Sequence, residues 1–208
     1  MSAPGAVLWD ADGVLQRVPR GSEESMRPAV EGLVDDVDGL LAEAVRAERP
    51  ALTGDVRWVD VLPGLLERWG IADAHDDVLR TWLTIEAVPG THDLVRALRA
   101  AGVRCYLATN QDERRGRLMH EQLGYCDLLD GAFYSYELGL AKPDPAYFAA
   151  VADRLGVAPD RLLLIDDNAA NVAGARSAGL DAEVWSYRED LGVLRDHLSR
   201  RGLPVPVR

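Results

Sequence analysis

Apolar and polar residues fall into blocks along the chain. Ala6-Val7-Leu8-Trp9 is an unbroken apolar run that leads into Asp10-Ala11-Asp12-Gly13-Val14. A short apolar run closed by an Asp-Gly turn predicts a buried strand. Residues 16–88 follow another pattern. Segments 27–48, 61–70 and 76–87 carry apolar residues at helical spacing with charges opposite. Pro19, Gly21, Pro50, Gly54, Pro63 and Pro89-Gly90 punctuate them as breakers. This stretch predicts a compact, mostly helical insert, with Trp58, Trp69 and Trp82 as its small core. From Pro89 onward strands and helices alternate. The pattern predicts helices over 91–101 (Thr91 as N-cap), 112–123, 145–156, 170–178 and 193–201. It predicts strands over 103–108, 132–136, 162–165 and 183–186.

Such alternation implies an α/β fold, a parallel sheet with helices on both faces and ligands bound beyond the carboxyl ends of the strands. Those ends are polar. The first strand delivers Asp10 and Asp12, two positions apart and so starting on one side. The second delivers Thr109-Asn110-Gln111. Lys142 follows the third, and Asp166-Asp167 close the fourth.

Composition narrows the function. The net charge of −11 argues against nucleic-acid or anionic-membrane partners. The insert alone holds 15 acidic and 8 basic residues. Cys105 and Cys126 form no disulfide framework and have no metal-ligand spacing. With no long apolar span and no signal-peptide pattern, a soluble cytoplasmic protein is expected. Among 23 basic residues, Lys142 is the single lysine. A compact ammonium in an arginine-rich chain invites a specific role. Arg114, Arg115 and Arg117 read as a solvated helix face. His75, His92, His120 and His197 read as structural or exposed. Trp9 points away from the strand-end site by alternation.

The strand-end residues suit phosphoryl transfer. Asp10 with Asp167 or Asp166 offers hard oxygen ligands that fit Mg²⁺ better than Zn²⁺. Thr109 supplies a hydroxyl, and the backbone N–H groups that follow it, from Asn110 on, can bind phosphate oxygens. Lys142 can neutralise nucleophile and phosphoryl group together. One carboxylate can attack phosphorus and a second can carry the proton.

Asp10-Ala11-Asp12-Gly13-Val14, Thr109, Lys142-Pro143-Asp144-Pro145 and Leu164-Ile165-Asp166-Asp167-Asn168 resemble, in order, the four motifs of the haloacid dehalogenase superfamily. The run from Asp167 to Ala175 is similar as well. The resemblance implies a Rossmann-like catalytic core (1–15 and 89–208) and a helical cap (16–88). It implies Asp10 as nucleophile and Mg²⁺ ligand. Asp12 becomes general acid/base, with its backbone carbonyl on the metal. Thr109 and Lys142 bind the phosphoryl group, with Lys142 also pairing Asp10. Asp167 becomes a direct metal ligand, with Asp166 behind it or bound through water, and the order of these two stays open. Dehalogenating members lack a carboxylate at the position of Asp12, so the expected activity is Mg²⁺-dependent hydrolysis of a small phosphate ester by a monomer or homodimer. Sugar-phosphate phosphomutase, haloacid dehalogenase and non-catalytic binding protein are the alternatives.

Overall fold

The structure, a computed structural model, describes residues 3–19 and 24–205. Gly21, read as a breaker, lies outside the described residues. Strand β1 (Ala6–Trp9) occupies the centre of a five-stranded parallel sheet. Beside it run β4 (Cys105–Thr109) and β6 (Leu162–Asp166). The edges are β5 (Ala132–Tyr134) and β7 (Asp181–Val184), giving the order β5-β4-β1-β6-β7. The chain leaves β1 to β4 on one side and later fills β6 on the other. The crevice at the carboxyl end of β1 is therefore the switch point where α/β sheets bind ligands.

Strict alternation along β1 builds two core layers. Val7 and Trp9 pack with Leu107, Leu163 and Ile165, beneath α5 (Pro89–Ala100) and α11 (Leu191–Arg200). Ala6 and Leu8 face the other way with Ala108, Leu162 and Leu164, against α9 (Pro145–Leu155) and α10 (Ala169–Ser177). Every residue of β1 is buried, as an apolar run in a covered parallel sheet requires. Trp9 is core, as expected, and so is Cys105.

The insert leaves and rejoins through a small antiparallel ribbon of β2 (Gln16–Arg17) and β3 (Glu86–Ala87). Two-residue strands are too short to show a period in sequence. Between them lie α1 (Arg27–Val30), α2 (Val37–Leu52), α3 (Trp58–Arg68) and α4 (His75–Trp82) around an apolar cluster of their own. Trp58 and Trp82 are buried in that cluster. Trp69 packs at its edge with its indole N–H on Glu43 at 2.8 Å.

Several boundaries differ from the expected ones. The segment 27–48 divides, because Asp36 caps a fresh helix through the Gly39 N–H. Pro50 and Pro63 sit inside α2 and α3 rather than ending them. Pro50 falls in the last turn of α2, where little helix is left to break, and buried Leu65 and Leu66 hold α3 in place beyond Pro63. Thr91 is not a cap. Pro89 opens α5 with Val88 before it, and Thr91 is buried within the first turn. The last strand lies two residues earlier than 183–186. It pairs with β6 in a register that begins at Leu163↔Asp181.

The insert is seated on the core. α3 packs against α6 (Glu113–Glu121), and α2 against α8 (Ser135–Leu138). Gly54, with φ of +77°, lies so close to the core that a Cβ there would meet the Tyr136 carbonyl oxygen at 2.4 Å.

Candidate active site

The ends of β1, β4 and β6 and the loop carrying Lys142 enclose a cleft of about 300 Å³. Asp10, Asp12, Thr109, Asn110, Lys142 and Asp167 all line it. Residues separated by more than 150 positions in sequence thus meet at one sheet edge, as the strand-end reading expected.

Lys142 is the hub. Its ammonium is buried and donates to Asp10 Oδ1 at 2.8 Å, Asp166 Oδ2 at 2.6 Å and the Ala108 carbonyl at 2.8 Å. Three donors meet three acceptors, so the only lysine is fully engaged. Burial pulls its pKa down, but Asp10 and Asp166 outweigh that, and the net shift is upward. Asp10 shows the opposite balance. Burial and the nearby Asp166 carboxylate push it up to about 8, against the pull of Lys142. Asp10 Oδ1 also accepts the Ala11 N–H at 2.7 Å.

The two neighbouring aspartates of β6 have separate surroundings. Asp166 is completely buried. It accepts from Lys142, from Asn171 Nδ2 at 3.0 and 3.1 Å, and from the Asn168 N–H at 2.9 Å. Asp167 is exposed to the cleft, with its pKa pushed up to about 6 by partial burial and by Asp166. Carboxylate oxygens of Asp10, Asp166 and Asp167 lie within 4.8 Å of one another. The site fits a hard divalent cation: the donors are all oxygen, and they carry surplus negative charge that Lys142 alone does not balance.

Asn110 spends its side chain on the Lys142 main chain, donating to its carbonyl at 2.7 Å and accepting its N–H at 2.8 Å. The amide fixes the lysine loop to the end of β4. On the far side of that loop, Gly174 of α10 is indispensable for space, since a Cβ would fall 2.0 Å from the Pro143 carbonyl oxygen.

The loop after β1 splays its two aspartates. While Asp10 faces Lys142, Asp12 turns toward Gln16 Nε2 (2.7 Å), Gln111 Nε2 (3.0 Å) and the Arg115 guanidinium (3.3 Å). Sequence reasoning overlooked all three partners. Arg115 is the sharpest departure: it is buried, not on a solvated face. A signal was present, because Arg115 lies four residues from the buried Met119 on one helix face, whereas Arg114 and Arg117 fall on the exposed side. His92 is structural as expected, with Nε2 2.8 Å from the Leu15 carbonyl oxygen. Among the described residues no helix is long and apolar enough to cross a membrane.

A family model for haloacid dehalogenase-like hydrolases matches residues 4–179. The chain belongs to this family. Within it, a phosphoglycolate phosphatase of Rhodospirillum rubrum is 30% identical over 197 residues, spanning 88% of this chain and 80% of that protein. A phosphatase of Mycobacterium tuberculosis is 33% identical over 92% of both chains. A haloacid dehalogenase-family enzyme of Bacteroides thetaiotaomicron, solved with magnesium and inorganic phosphate, superposes with a TM-score of 0.76 at 21% identity, over 92% of this chain and 98% of that one. That likeness confirms the Rossmann-like fold. The phosphatase relatives make this chain a haloacid dehalogenase-like phosphoric monoester hydrolase.

Proposed function

We propose that the protein is a Mg²⁺-dependent phosphatase that hydrolyses a small phosphomonoester through an aspartyl-phosphate on Asp10. The observation that carries this reading is the pair of splayed carboxylates in one cleft: one salt-bridged to Lys142, the other held apart by neutral and cationic donors. The separation divides the labour between a nucleophile and a proton carrier.

Asp10 Oδ1 is held by Lys142 and the Ala11 N–H, which leaves Oδ2 to attack phosphorus. As the O–P bond to Asp10 forms, the ester P–O bond breaks and Asp12 delivers a proton to the leaving oxygen. Asp12, now a carboxylate, takes a proton from water as that water attacks the phosphoryl group. Phosphate departs and Asp10 is restored. Thr109 and the Asn110 backbone bind phosphoryl oxygens, and Lys142 balances their charge. Asp10, Asp167 and the Asp12 backbone carbonyl would hold Mg²⁺. The saturated hydrogen bonding of Asp166 supports giving it the supporting role and Asp167 the direct contact. When bound, the ion neutralises charge on the transferring phosphoryl group. Residues 16–88 act as the cap, and Arg17, Val18, Tyr187 and Arg188, which also line the cleft, meet the leaving group.

Asp12 also favours phosphatase over dehalogenase, since a halide leaves without a proton. Asp10→Asn keeps the shape and removes the nucleophile. It is expected to lower Mg²⁺-dependent turnover of p-nitrophenyl phosphate by roughly 10³-fold or more while the melting transition persists. Turnover close to that of the parent protein would refute the assignment.

A further inference from the structure

The carboxylate of Asp12 has three side-chain donors, and they are anchored differently. Gln16 is completely buried and its amide oxygen accepts the Tyr125 hydroxyl at 2.9 Å. Gln111 is buried, its backbone N–H bonded to Ser135 Oγ at 3.0 Å. Both are tied to core residues, Gln16 from the base of the insert and Gln111 from the loop after β4. Arg115 also grows from the core, in the first turn of α6, but its guanidinium lies under the insert. The carbon at its centre is 5.6 Å from the Trp82 ring centroid, near enough for cation–π attraction. Glu48 of α2 lies near both Trp82 and Arg115. Arg115 Nε has no hydrogen-bond partner among the described residues, and the guanidinium is held by Asp12 on one side and the Trp82 ring of the insert on the other.

We propose that Arg115 is the positioning residue for Asp12, holding the carboxylate in its proton-transfer position while the helical insert is seated over it. The ring of Trp82 sets the guanidinium; the guanidinium sets Asp12. Lifting the helices of the insert removes Trp82, while the two amide donors of Asp12 stay: Gln111 in the core, and Gln16 at the base of the insert, held by Tyr125. Proton delivery is thereby tied to closure of the insert, at the stage when water is excluded. Glu48 adds negative charge on the insert side: burial pushes its pKa up to about 7, and the Arg115 charge is the larger of the influences that pull it down.

The inference rests on Asp12 being the proton carrier, so the test includes that residue. Rapid-quench measurement follows phosphorylation of the enzyme by an alkyl phosphate, whose leaving group needs a proton, and by p-nitrophenyl phosphate, whose leaving group needs little help. Asp12→Asn must slow the alkyl ester far more than the aryl ester; equal loss on both refutes Asp12 as the acid, and this inference with it. Given that contrast, Arg115→Met is expected to slow the alkyl ester about tenfold more than the aryl ester with KM little changed, and Arg115→Lys to recover part of the loss. Trp82→Leu, which leaves the cleft lining untouched, should show the same selectivity more weakly, and serves where Arg115→Met does not fold. Equal losses on the two esters in the folded Arg115 or Trp82 variants, beside a selective loss in Asp12→Asn, overturn the proposal.

Discussion

At Gly13 one hydrogen atom in place of a side chain keeps room for Asp167. The residue has φ of +86°, and a Cβ built on it would stand 2.0 Å from Asp167 Oδ2. Gly13→Ala therefore meets both backbone strain and a collision at the cation site. It should cost about 1–3 kcal/mol of stability and weaken Mg²⁺ binding. Thermal denaturation with and without Mg²⁺ reads both effects; an alanine variant with parental stability and metal affinity would contradict this geometry. Legibility at this scale depended on whether a residue type was unusual where it stood. Asp10 and Asp12 after an apolar strand, and a lone Lys142 in an arginine-rich chain, were visible in one dimension. Arg115 was hidden among two other arginines, and the amides of Gln16 and Gln111 carry no distinctive pattern. The hold of Asn110 on the lysine loop spans 32 positions and exists only once β4 and that loop meet.

Element by element, long periodic segments were the easiest to foresee, because burial of one face leaves a period in the sequence. The ribbon at the base of the insert left none. Prolines misled where little helix was left to break, as at Pro50, or where tertiary packing overrode local cost, as at Pro63. What the sequence could not show is how the insert brings Trp82 of α4 and Glu48 of α2 near Arg115 of α6, and the chemistry of Glu48 depends on that. Its carboxyl is pushed from 4.5 to about 7, first by burial. A raised folded-state pKa means that the folded protein binds the proton more tightly than the unfolded chain. The stabilisation is complete in acid below the ordinary carboxylate pKa and fades as pH rises through about 7. Glu48→Gln removes this dependence. At pH 8 the glutamine variant should be more stable than the parent by on the order of 1 kcal/mol, after allowance for partial exposure, and the gap should shrink toward pH 5. Urea denaturation across that range would disprove the burial argument if the two proteins kept a constant difference.

For the whole molecule, the order β5-β4-β1-β6-β7 does most to create the cleft. Alternation of strands and helices pointed to a parallel sheet, and polar strand ends pointed to its carboxyl edge. The strand order itself is a long-range property that no local pattern encodes. Bringing Asp10, Asp166 and Asp167 within 4.8 Å concentrates negative charge on a molecule that already carries −11. With Asp10 raised to about 8 and Asp167 to about 6, the metal-free site retains protons near neutral pH. Mg²⁺ must displace them, so its affinity should climb between pH 6 and pH 8, with release of about one proton per ion near pH 7. Calorimetric titration in two buffers of different ionisation enthalpy measures that release; none would contradict the site as described. The central claim is that Asp10 carries the phosphoryl group, and it is tested most directly by trapping. Asp12→Asn can accept phosphoryl from p-nitrophenyl phosphate but cannot activate water to release it. Acid quenching after Mg²⁺ and ester are added, followed by peptide mass spectrometry, should place one phosphoryl group on Asp10. A phosphoryl group found on another residue, or an unmodified Asp10 in a variant that still releases a burst of nitrophenol, would contradict it.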